Sequence, residues 1–520
     1  MATQPLTLRA LFTGKLGRFG DRPAVVHGAA TMTYRDLDRQ MGRLARGLAS
    51  FGIGPGDAVA VMMSNRAEFL ISDQAIIALG AVKVPVNHML AATEIAFILA
   101  DSGAKVAIAD AALLPAALSA AGRDGPLRHV ITVDKPAAGA VGWAEVLASA
   151  DGDEPPAAQV DADSPAIILY TGGTTGRQKG VVHTQRGLAV NLLAHVAEIG
   201  LLDDERLLLT TPLPHSAGLL AQAGMLKGGI IYLDDKFDVD RVLEHLSRDR
   251  ITFTFMVPTM IYRLLDRLGD SPADATSLRT ILYGAAPILR ERLVAALTTF
   301  GPVFMQLYGQ SEAPNFITRL TRQDHDLARP EKFTSCGRAA LLMDIAILHE
   351  DGRPVSAGRP GEICVSGPYV MARYHNLPDT TATTLRGGWL HTGDIGLMDD
   401  DGFVFLLDRK NDMIITGGMN VYCTEVENVL QACPGIAQVA VVGLPHPDWG
   451  EAVAAFVVPE DGGFDERVAT AHCRAALAAY KRPKQYCPVE TLPTTPFGKI
   501  DKKALRAIAD PLVCMEKHLQ

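Results

Sequence analysis

The sequence predicts an α/β fold in which sheets of parallel type are flanked by helices. Between residues 57 and 134, short apolar runs alternate with longer amphipathic ones, which is the pattern of strand and helix layers. Further apolar runs at residues 166–170, 253–257, 280–283 and 303–308 each end in a turn that contains glycine or proline. The chain has 520 residues and 48% of them are hydrophobic, so we expect two or more domains.

The elements follow one another along the chain. Residues 58–63, 105–109 and 130–133 predict strands, and residues 68–79 predict a helix. Residues 142–165 are rich in alanine, aspartate and proline and predict a surface connection. A charged run at residues 408–412 precedes an apolar one. We place a domain boundary there, which gives domains at residues 1–410 and 411–520.

Composition limits the classes of protein to which the chain can belong. The 49 basic and 58 acidic side chains give a formal net charge of -9, which argues against a general nucleic-acid surface. The seven cysteines include no Cys-x-x-Cys pair, and reduced thiols in the cytosol are the simplest interpretation. No stretch approaches roughly 18 uninterrupted apolar residues, and the amino terminus lacks a secretory signal. We therefore expect a cytoplasmic protein without a transmembrane segment.

A dense cluster of glycine, threonine and lysine follows the apolar run that begins at Ala166. Glycines let backbone N–H groups approach phosphate oxygens, threonine hydroxyls add donors, and lysine adds a positive charge. The cluster lacks the Gly-Lys-Ser/Thr ending of a Walker P-loop. It predicts a nucleotide-phosphate loop with the binding residues Thr171, Gly172, Gly173, Thr174, Thr175, Gly176 and Lys179.

This loop resembles the signature of the superfamily that contains AMP-forming acyl-CoA synthetases, nonribosomal peptide synthetase adenylation domains and firefly luciferase. Gln178 stands where that superfamily usually has proline, and further matches run in order from about Tyr34 to Leu505. The chain looks most similar to the fatty-acid and carboxylic-acid CoA ligases. The resemblance implies a large amino-terminal domain for ATP and the acyl group, and a small mobile α+β domain that completes both half reactions.

Two further segments resemble the nucleotide-binding elements of the superfamily. The first segment, residues 284–287, borders the adenine and the acyl group in the family, although a structural turn is the simpler interpretation of its residues alone. The second segment is residues 308–312. There the resemblance implies that Glu312 coordinates magnesium, that Ser311 contacts phosphate and that Tyr308 packs near the adenine. The residues in these segments are Gly284, Ala285, Ala286, Pro287, Tyr308, Gly309, Gln310, Ser311 and Glu312.

The remaining chemical assignments also depend on the resemblance. Asp394 matches the aspartate that accepts hydrogen bonds from the ribose hydroxyls, Arg409 matches a second ribose or phosphate contact, and Asn411 matches the hinge. Lys499 matches the lysine that neutralises charge at the α-phosphate during adenylation, where stabilisation of developing charge contributes most. The glycines Gly417 and Gly418 match the segment that meets coenzyme A.

The segment at residues 211–218 resembles the acyl-CoA synthetase form of the carboxylate pocket. His215 there is a candidate to gate the acyl tunnel or contact the carboxylate, and a packed, hydrogen-bonded histidine is the alternative. No aspartate opens residues 227–238 as it does in amino-acid-activating domains, so we rank an acid without an α-amino group first. The residues do not say whether that acid is fatty, aromatic or polycyclic.

These features predict an AMP-forming acid–thiol ligase. It uses ATP and Mg²⁺ to convert a carboxylic acid to an acyl-adenylate, and then transfers the acyl group to coenzyme A. Two alternatives stay open. One is an adenylating enzyme that hands its product to a partner ligase or carrier protein, and the other is a nucleotide sensor without turnover. A homodimer is an expectation of the family only.

Overall fold

The computed structural model describes residues 5–121, 125–171, 178–269, 271, 273–460, 463–494 and 500–509. Within these ranges the chain forms two large mixed sheets and two smaller ones, with helices packed against them. No helix in these ranges is long and apolar enough to cross a membrane.

Most strands are short, and helices separate many of them in the first 300 residues. In chain order they are β1 (Pro23–His27), β2 (Ala30–Thr33), β3 (Ala58–Met62), β4 (Val82–Pro85), β5 (Val106–Ala109), β6 (His129–Thr132), β7 (Val141–Gly142), β8 (Pro165–Thr171), β9 (Lys179–Thr184), β10 (Arg206–Leu209), β11 (Ile230–Leu233), β12 (Phe253–Met256), β13 (Thr280–Tyr283), β14 (Phe304–Gln310), β15 (Ala313–Leu320), β16 (Arg338–Ala339), β17 (Asp344–Leu348), β18 (Gly361–Ser366), β19 (Arg373–Tyr374), β20 (Leu385–Arg386), β21 (Trp389–Met398), β22 (Val404–Arg409), β23 (Ile414–Thr416), β24 (Met419–Val421), β25 (Ile436–His446), β26 (Gly450–Pro459) and β27 (Gln485–Pro488).

Several helices begin at polar caps: the side chains of Thr33, Thr184 and Asp238 each accept a hydrogen bond from the first turn of the helix that follows. The α-helices are α1 (Leu8–Phe12), α2 (Tyr34–Ser50), α3 (Ala67–Leu79), α4 (Ala92–Asp101), α5 (Leu114–Ala121), α6 (Trp143–Ala148), α7 (Gln185–Ile199), α8 (Gly218–Leu226), α9 (Val239–Arg248), α10 (Pro258–Leu268), α11 (Arg290–Phe300), α12 (Pro378–Thr384), α13 (Cys423–Gln431), α14 (Glu466–Ala476) and α15 (Lys502–Ile508). Short 3-10 turns occur at Leu16–Phe19, Pro330–Thr334 and Ala479–Lys481, and a π turn occurs at Leu213–Ala217.

Two large sheets have parallel centres and antiparallel edges. The nine-stranded sheet has the order β16-β15-β14-β13-β12-β10-β11-β1-β2, in which the pairs from β14 to β1 are parallel. The eight-stranded sheet has the order β19-β9-β8-β4-β3-β5-β6-β7, and its pairs from β8 to β7 are parallel. Apolar runs with a helix between them therefore pair in parallel, as the sequence predicts.

A layer of helices lies between these two sheets. α3 is buried from Phe69 to Leu79, and α8 is buried from Gly218 to Met225. One apolar core contains residues of both helices together with Val61 of the eight-stranded sheet and Leu209 of the nine-stranded sheet. A helix that is buried on all sides needs mostly apolar residues, which explains the sequence of α8. Its one polar residue, Gln222, donates to the buried carboxylate of Asp73 on α3 at 2.8 Å.

The two smaller sheets are mainly antiparallel. β17, β18, β20, β21 and β22 form one of them, and every pair in it is antiparallel, which the sequence analysis did not anticipate. β23 to β27 form the other, which packs against α13 and α14 around a separate apolar core in the carboxy-terminal part. A large amino-terminal domain followed by a smaller α+β domain confirms the predicted fold class. The boundary at residues 410/411 and the mobility of the smaller domain remain predictions.

Candidate active site

Neighbouring parallel strands of the nine-stranded sheet end on the same edge. β10, β12, β13 and β14 pair in parallel, so the loops at their carboxyl ends lie side by side. Three of the predicted segments lie at this edge: Leu213–Ala217 after β10, residues 284–287 after β13, and residues 308–312 at the end of β14. The edge is therefore the candidate active site.

The loop after β13 forms a rim of small residues. A Cβ atom on Gly284 would lie 2.6 Å from the carbonyl oxygen of Leu307, so only glycine allows the two strand ends to approach this closely. Ala285 has a φ of +67°, a left-handed conformation that costs a residue with a side chain about 1 kcal/mol. Ala285, Ala286 and Pro287 are exposed, which leaves a flat surface on which a ring can lie.

Asp394 lies in an irregular part of the antiparallel sheet, where the pairing of β21 with β18 is interrupted at residues 392–394. Irregularities of this kind re-aim side chains beside active sites. Asp394 is 1% exposed; its Oδ1 lies 2.7 Å from Nε of Arg409, and its Oδ2 accepts a 2.5 Å hydrogen bond from the Tyr308 hydroxyl. Burial, and then the charge of Asp394, raise the pKa of Tyr308 well above its usual value, so the hydroxyl stays protonated.

Tyr374 joins the predicted magnesium ligand to the predicted phosphate-binding lysine. Its hydroxyl donates a 2.6 Å hydrogen bond to Oε1 of Glu312, and the ammonium nitrogen of Lys179 lies 4.7 Å from the centre of its ring. Tyr374 occupies this position because β19 pairs with β9, the strand that begins at Lys179. A carboxylate from one large sheet and a cation from the other therefore face a common space.

The predicted phosphate loop lies between β8 and β9, whose ends Thr171 and Lys179 are paired residues. Gln178, in place of the family's proline, donates from Nε2 to Oε1 of Glu94 at 3.0 Å. Glu94 also accepts a hydrogen bond from the N–H of Ala91 at the start of α4. The glutamine therefore fastens the end of the loop to α4. Five predicted residues lie outside the described ranges: Gly172, Gly173, Thr174, Thr175 and Gly176.

His215 lies in the π turn that follows β10. Its backbone has non-helical angles (φ −113°, ψ −146°), and π turns are frequent at functional sites. The side-chain amide of Asn87 lies 3.0 Å from Nε2 of His215, so that nitrogen accepts the hydrogen bond and Nδ1 carries the proton. The ring is half-buried and held in one orientation. The adjoining apolar residues of α8, including Leu219 and Leu220, are buried core residues.

Gly417 and Gly418 form the two-residue turn between β23 and β24. Both have positive φ values, +56° and +78°, which is the conformation of a tight hairpin turn. The Gly417 N–H donates to the carbonyl of Trp449 at 2.8 Å. The predicted role of this turn in binding coenzyme A stays a prediction. Lys499 lies outside the described ranges.

Comparison with known proteins identifies the family. The AMP-binding enzyme family matches residues 12–375, and the AMP-binding enzyme C-terminal domain matches residues 425–499. The chain is 38% identical to a medium/long-chain-fatty-acid–CoA ligase (FadD8) of Mycobacterium tuberculosis, over 96% of this chain and 89% of that protein.

The chain belongs to the AMP-binding enzyme family.

Other relatives of this AMP-binding enzyme differ in their named reactions. A feruloyl-CoA synthase of an Amycolatopsis species is 40% identical over 93% of this chain and 95% of its own length. The structure of the amide bond synthetase McbA from Marinactinospora thermotolerans superposes with a TM-score of 0.86 at 32% identity and covers 97% of this chain and 99% of that one. The predicted enzyme class, an AMP-forming acid–thiol ligase that uses ATP and coenzyme A, is confirmed.

Tyr374, His183 and Asn87 lie in none of the motifs that the sequence shows. His183 is buried and its Nε2 donates to the carbonyl oxygen of Ser311 at 2.7 Å; burial lowers its pKa to about 4, so the ring is neutral. His183 thus fixes the backbone beside Glu312. A tyrosine, a histidine and an asparagine without a surrounding motif carry no signal in one sequence, although His183 does follow the phosphate loop closely.

Proposed function

We propose that this ligase binds the phosphates of ATP between Lys179 and a magnesium ion at Glu312, and holds the ribose at Asp394. The observation that carries the proposal is the contact of Tyr374 with both Lys179 and Glu312. A cation and a metal ligand held 
beside one ring suit a polyphosphate with its counterion. The rim at Ala285 and Ala286 supplies a surface for the adenine.

Glu312 has the properties of a magnesium ligand. Mg²⁺ prefers oxygen ligands and keeps several waters, so one carboxylate together with ATP phosphates is a sufficient site. Glu312 is 9% exposed, Tyr374 hydrogen bonds to its Oε1, and no ion pair reaches it among the described residues. Bound Mg²⁺ would neutralise charge on the pyrophosphate leaving group.

In the first half reaction, an oxygen of the carboxylic acid forms a bond to the α-phosphorus, and the bond from that phosphorus to pyrophosphate breaks. Lys179 binds phosphate oxygens, and the resemblance assigns Lys499 to the charge that develops at the α-phosphate. In the second, the sulfur of coenzyme A bonds to the carbonyl carbon, AMP leaves and the thiol proton passes to solvent. The turn at Gly417 and Gly418 is the proposed contact for the pantetheine arm.

The acid is proposed to lack an α-amino group. Asp234, the buried aspartate in the segment where amino-acid-activating domains hold an ammonium group, is already paired. Arg241 contacts its Oδ1, and Nε2 of His245 lies 3.4 Å from its Oδ2. His215, held by Asn87, is proposed to face the carboxylate of the acid.

Amide formation is the second candidate, because the amide bond synthetase covers nearly the whole chain in the structural comparison. In that reaction an amine, rather than a thiol, would attack the acyl-adenylate. Transfer of the adenylate to a separate partner protein is a third outcome. A cytoplasmic location and a homodimer are proposals as well. Light scattering of the purified chain would measure its oligomeric state.

The test is a panel of fatty, aromatic and polycyclic carboxylic acids with Mg²⁺ and ATP. Pyrophosphate release is followed with no acceptor, with coenzyme A and with an amine, and mass spectrometry detects acyl-AMP, acyl-CoA and amide. Acyl-CoA from one class of acid is the expected result. Amide without acyl-CoA would replace the proposal with the second candidate. The absence of pyrophosphate with every acid would contradict both.

A further inference from the structure

A cluster of a carboxylate, a thiol and an imidazole lies beside the candidate active site, and the nucleotide chemistry does not use it. Glu362 and Cys364 are two residues apart on β18, so their side chains point to the same side of the strand. His391 on β21 is the residue paired with Cys364. The backbone therefore brings three different metal-binding groups to one point of the antiparallel sheet.

The three groups are close enough to share one ion. Nδ1 of His391 lies 3.3 Å from Sγ of Cys364 and 3.1 Å from Oε2 of Glu362, and all three ligand atoms lie within 4.8 Å of one another. Tetrahedral zinc, with bonds of about 2.0–2.3 Å, places neighbouring ligand atoms roughly 3.3–3.6 Å apart. An ion therefore fits after small side-chain movements.

The ligand types select a borderline-soft metal. Thiolate and imidazole bind Zn²⁺ well, whereas Mg²⁺ prefers oxygen ligands and waters. The side chains of His391 and Glu362 are 8% and 10% exposed, so the cluster is nearly enclosed. Three protein ligands with a fourth position left for water is a common zinc arrangement.

The cluster is joined to the nucleotide site through the backbone and through two cations. Oε1 of Glu362 accepts a hydrogen bond from the N–H of Gly393, the residue before Asp394, at 3.2 Å. Oε2 lies 3.4 Å from Nζ of Lys410 and 3.7 Å from Arg386. A divalent ion on Glu362 would repel both cations. Because Lys410 follows Arg409, the partner of Asp394, its displacement would disturb the proposed ribose contact.

We propose that Glu362, Cys364 and His391 form an inhibitory zinc site. Arg386 and Lys410 cover it, and both side chains are long and partly exposed, so they can move aside to admit the ion. The site is separate from the magnesium position at Glu312 and selects a different class of metal. Its binding chemistry does not depend on the proposed reaction.

The first test is titration of the full chain with Co²⁺ in the absence of nucleotide. Cobalt bound by a thiolate gives a near-ultraviolet charge-transfer band, which Zn²⁺ should abolish by competition. In the wild type, we expect the band to reach full intensity at one Co²⁺ per chain. In Cys364→Ala and His391→Gln, we expect no band. Cys433→Ala is the control, because it removes a buried thiol from the carboxy-terminal domain. A band that is absent from the wild type, or unchanged in Cys364→Ala, would overturn the proposal.

The second test measures pyrophosphate release with Mg²⁺ and ATP in excess and a fixed concentration of Zn²⁺. We expect at least a tenfold loss in the wild type that a chelator reverses, and little loss in Cys364→Ala. Equal inhibition of both proteins would show that zinc acts on the nucleotide or elsewhere, and would overturn the inhibitory role. Thermal unfolding of each variant without metal checks that it is folded.

Discussion

Tyr374 controls the space between two opposite charges. Its hydroxyl holds the carboxylate of Glu312 while its ring holds the ammonium group of Lys179. Without the hydroxyl, the carboxylate is able to turn toward the lysine and form a direct ion pair, which would compete with phosphate and magnesium for both groups. We therefore predict that Tyr374 is a positioning residue for the first half reaction.

Tyr374→Phe should lower the rate of pyrophosphate release about tenfold or more at subsaturating Mg²⁺, since a hydrogen bond to a charged group contributes about 1.5–3 kcal/mol. Tyr369→Phe is the matched control, because its buried hydroxyl donates to the carbonyl of Phe316 and not to Glu312. The measurement is the dependence of the rate on Mg²⁺ concentration. If the rate depended on Mg²⁺ concentration in the same way in Tyr374→Phe and Tyr369→Phe, Tyr374 would not have this positioning role.

At the scale of elements, α7 supports the hairpin of β14 and β15. Nδ1 of His195 donates to the carbonyl of Asn191, and Nε2 accepts from the side chain of Asn315 at 2.8 Å. Asn191 donates to the carbonyl of Pro314 at 2.9 Å. The helix therefore holds the start of β15, which directly follows Glu312, through buried polar contacts.

These contacts predict a loss of stability in acid. Burial lowers the pKa of His195 to about 4, below the usual value near 6.5. At His195 the unfolded chain thus binds up to one more proton than the folded chain as pH falls from about 6.5 to 4, so this residue alone lowers the free energy of unfolding by on the order of 3 kcal/mol over this window. His195→Gln should flatten the fall of the unfolding temperature across this range, whereas His472→Gln on α14 should not. Parallel curves for His195→Gln and wild type would contradict the prediction.

The start of α13 contains a residue, Cys423, that departs from the family pattern. The resemblance implies that Cys423 stands where the family commonly has proline, and here the Cys423 N–H donates to the buried carboxylate of Asp408. Proline suits the first position of a helix but has no N–H group. The departure thus adds a contact between the end of β22 and the smaller domain.

Cys423→Pro should therefore be less stable than Cys423→Ala, which keeps the N–H group, by about 1–2 kcal/mol. Tyr422 already has φ −86° and ψ 119°, which a following proline accepts, so backbone strain does not explain the difference. Chemical denaturation, followed by tryptophan fluorescence, measures the difference. Equal stabilities would show that the Asp408 contact contributes nothing.

At the scale of the whole molecule, the predicted hinge decides whether one site serves both half reactions. Asn411→Pro should leave pyrophosphate release within about threefold of the wild type and slow thioester formation more strongly, because proline fixes φ and restricts the residue before it. Asn411→Ala is the control. Acyl-CoA formation from supplied acyl-AMP separates the two steps, and equal slowing of both would contradict a hinge at this residue.

The sequence predicted the parts of the molecule that local patterns determine. The parallel strands follow from apolar runs separated by helices, and the motifs proposed to bind the nucleotide do lie at strand ends, as the sequence indicates. The antiparallel sheet that carries Asp394 was not predicted, because its short strands have no regular alternation with helices. Tyr374 was missed for another reason: its contacts with Glu312 and Lys179 depend on the pairing of β19 with β9, which joins segments nearly 200 residues apart in the chain.

The helices buried between the two large sheets act as a spacer. Lys179 starts a strand of one sheet and Glu312 follows a strand of the other. The thickness of this helix layer therefore sets the distance between the two groups that we propose to bind the triphosphate. A change of one methyl group in α7, which contacts both β9 and β15, should then alter the distance between Lys179 and Glu312 as well as the stability of the protein. Selection on catalysis would therefore also act on the volumes of side chains that no substrate touches.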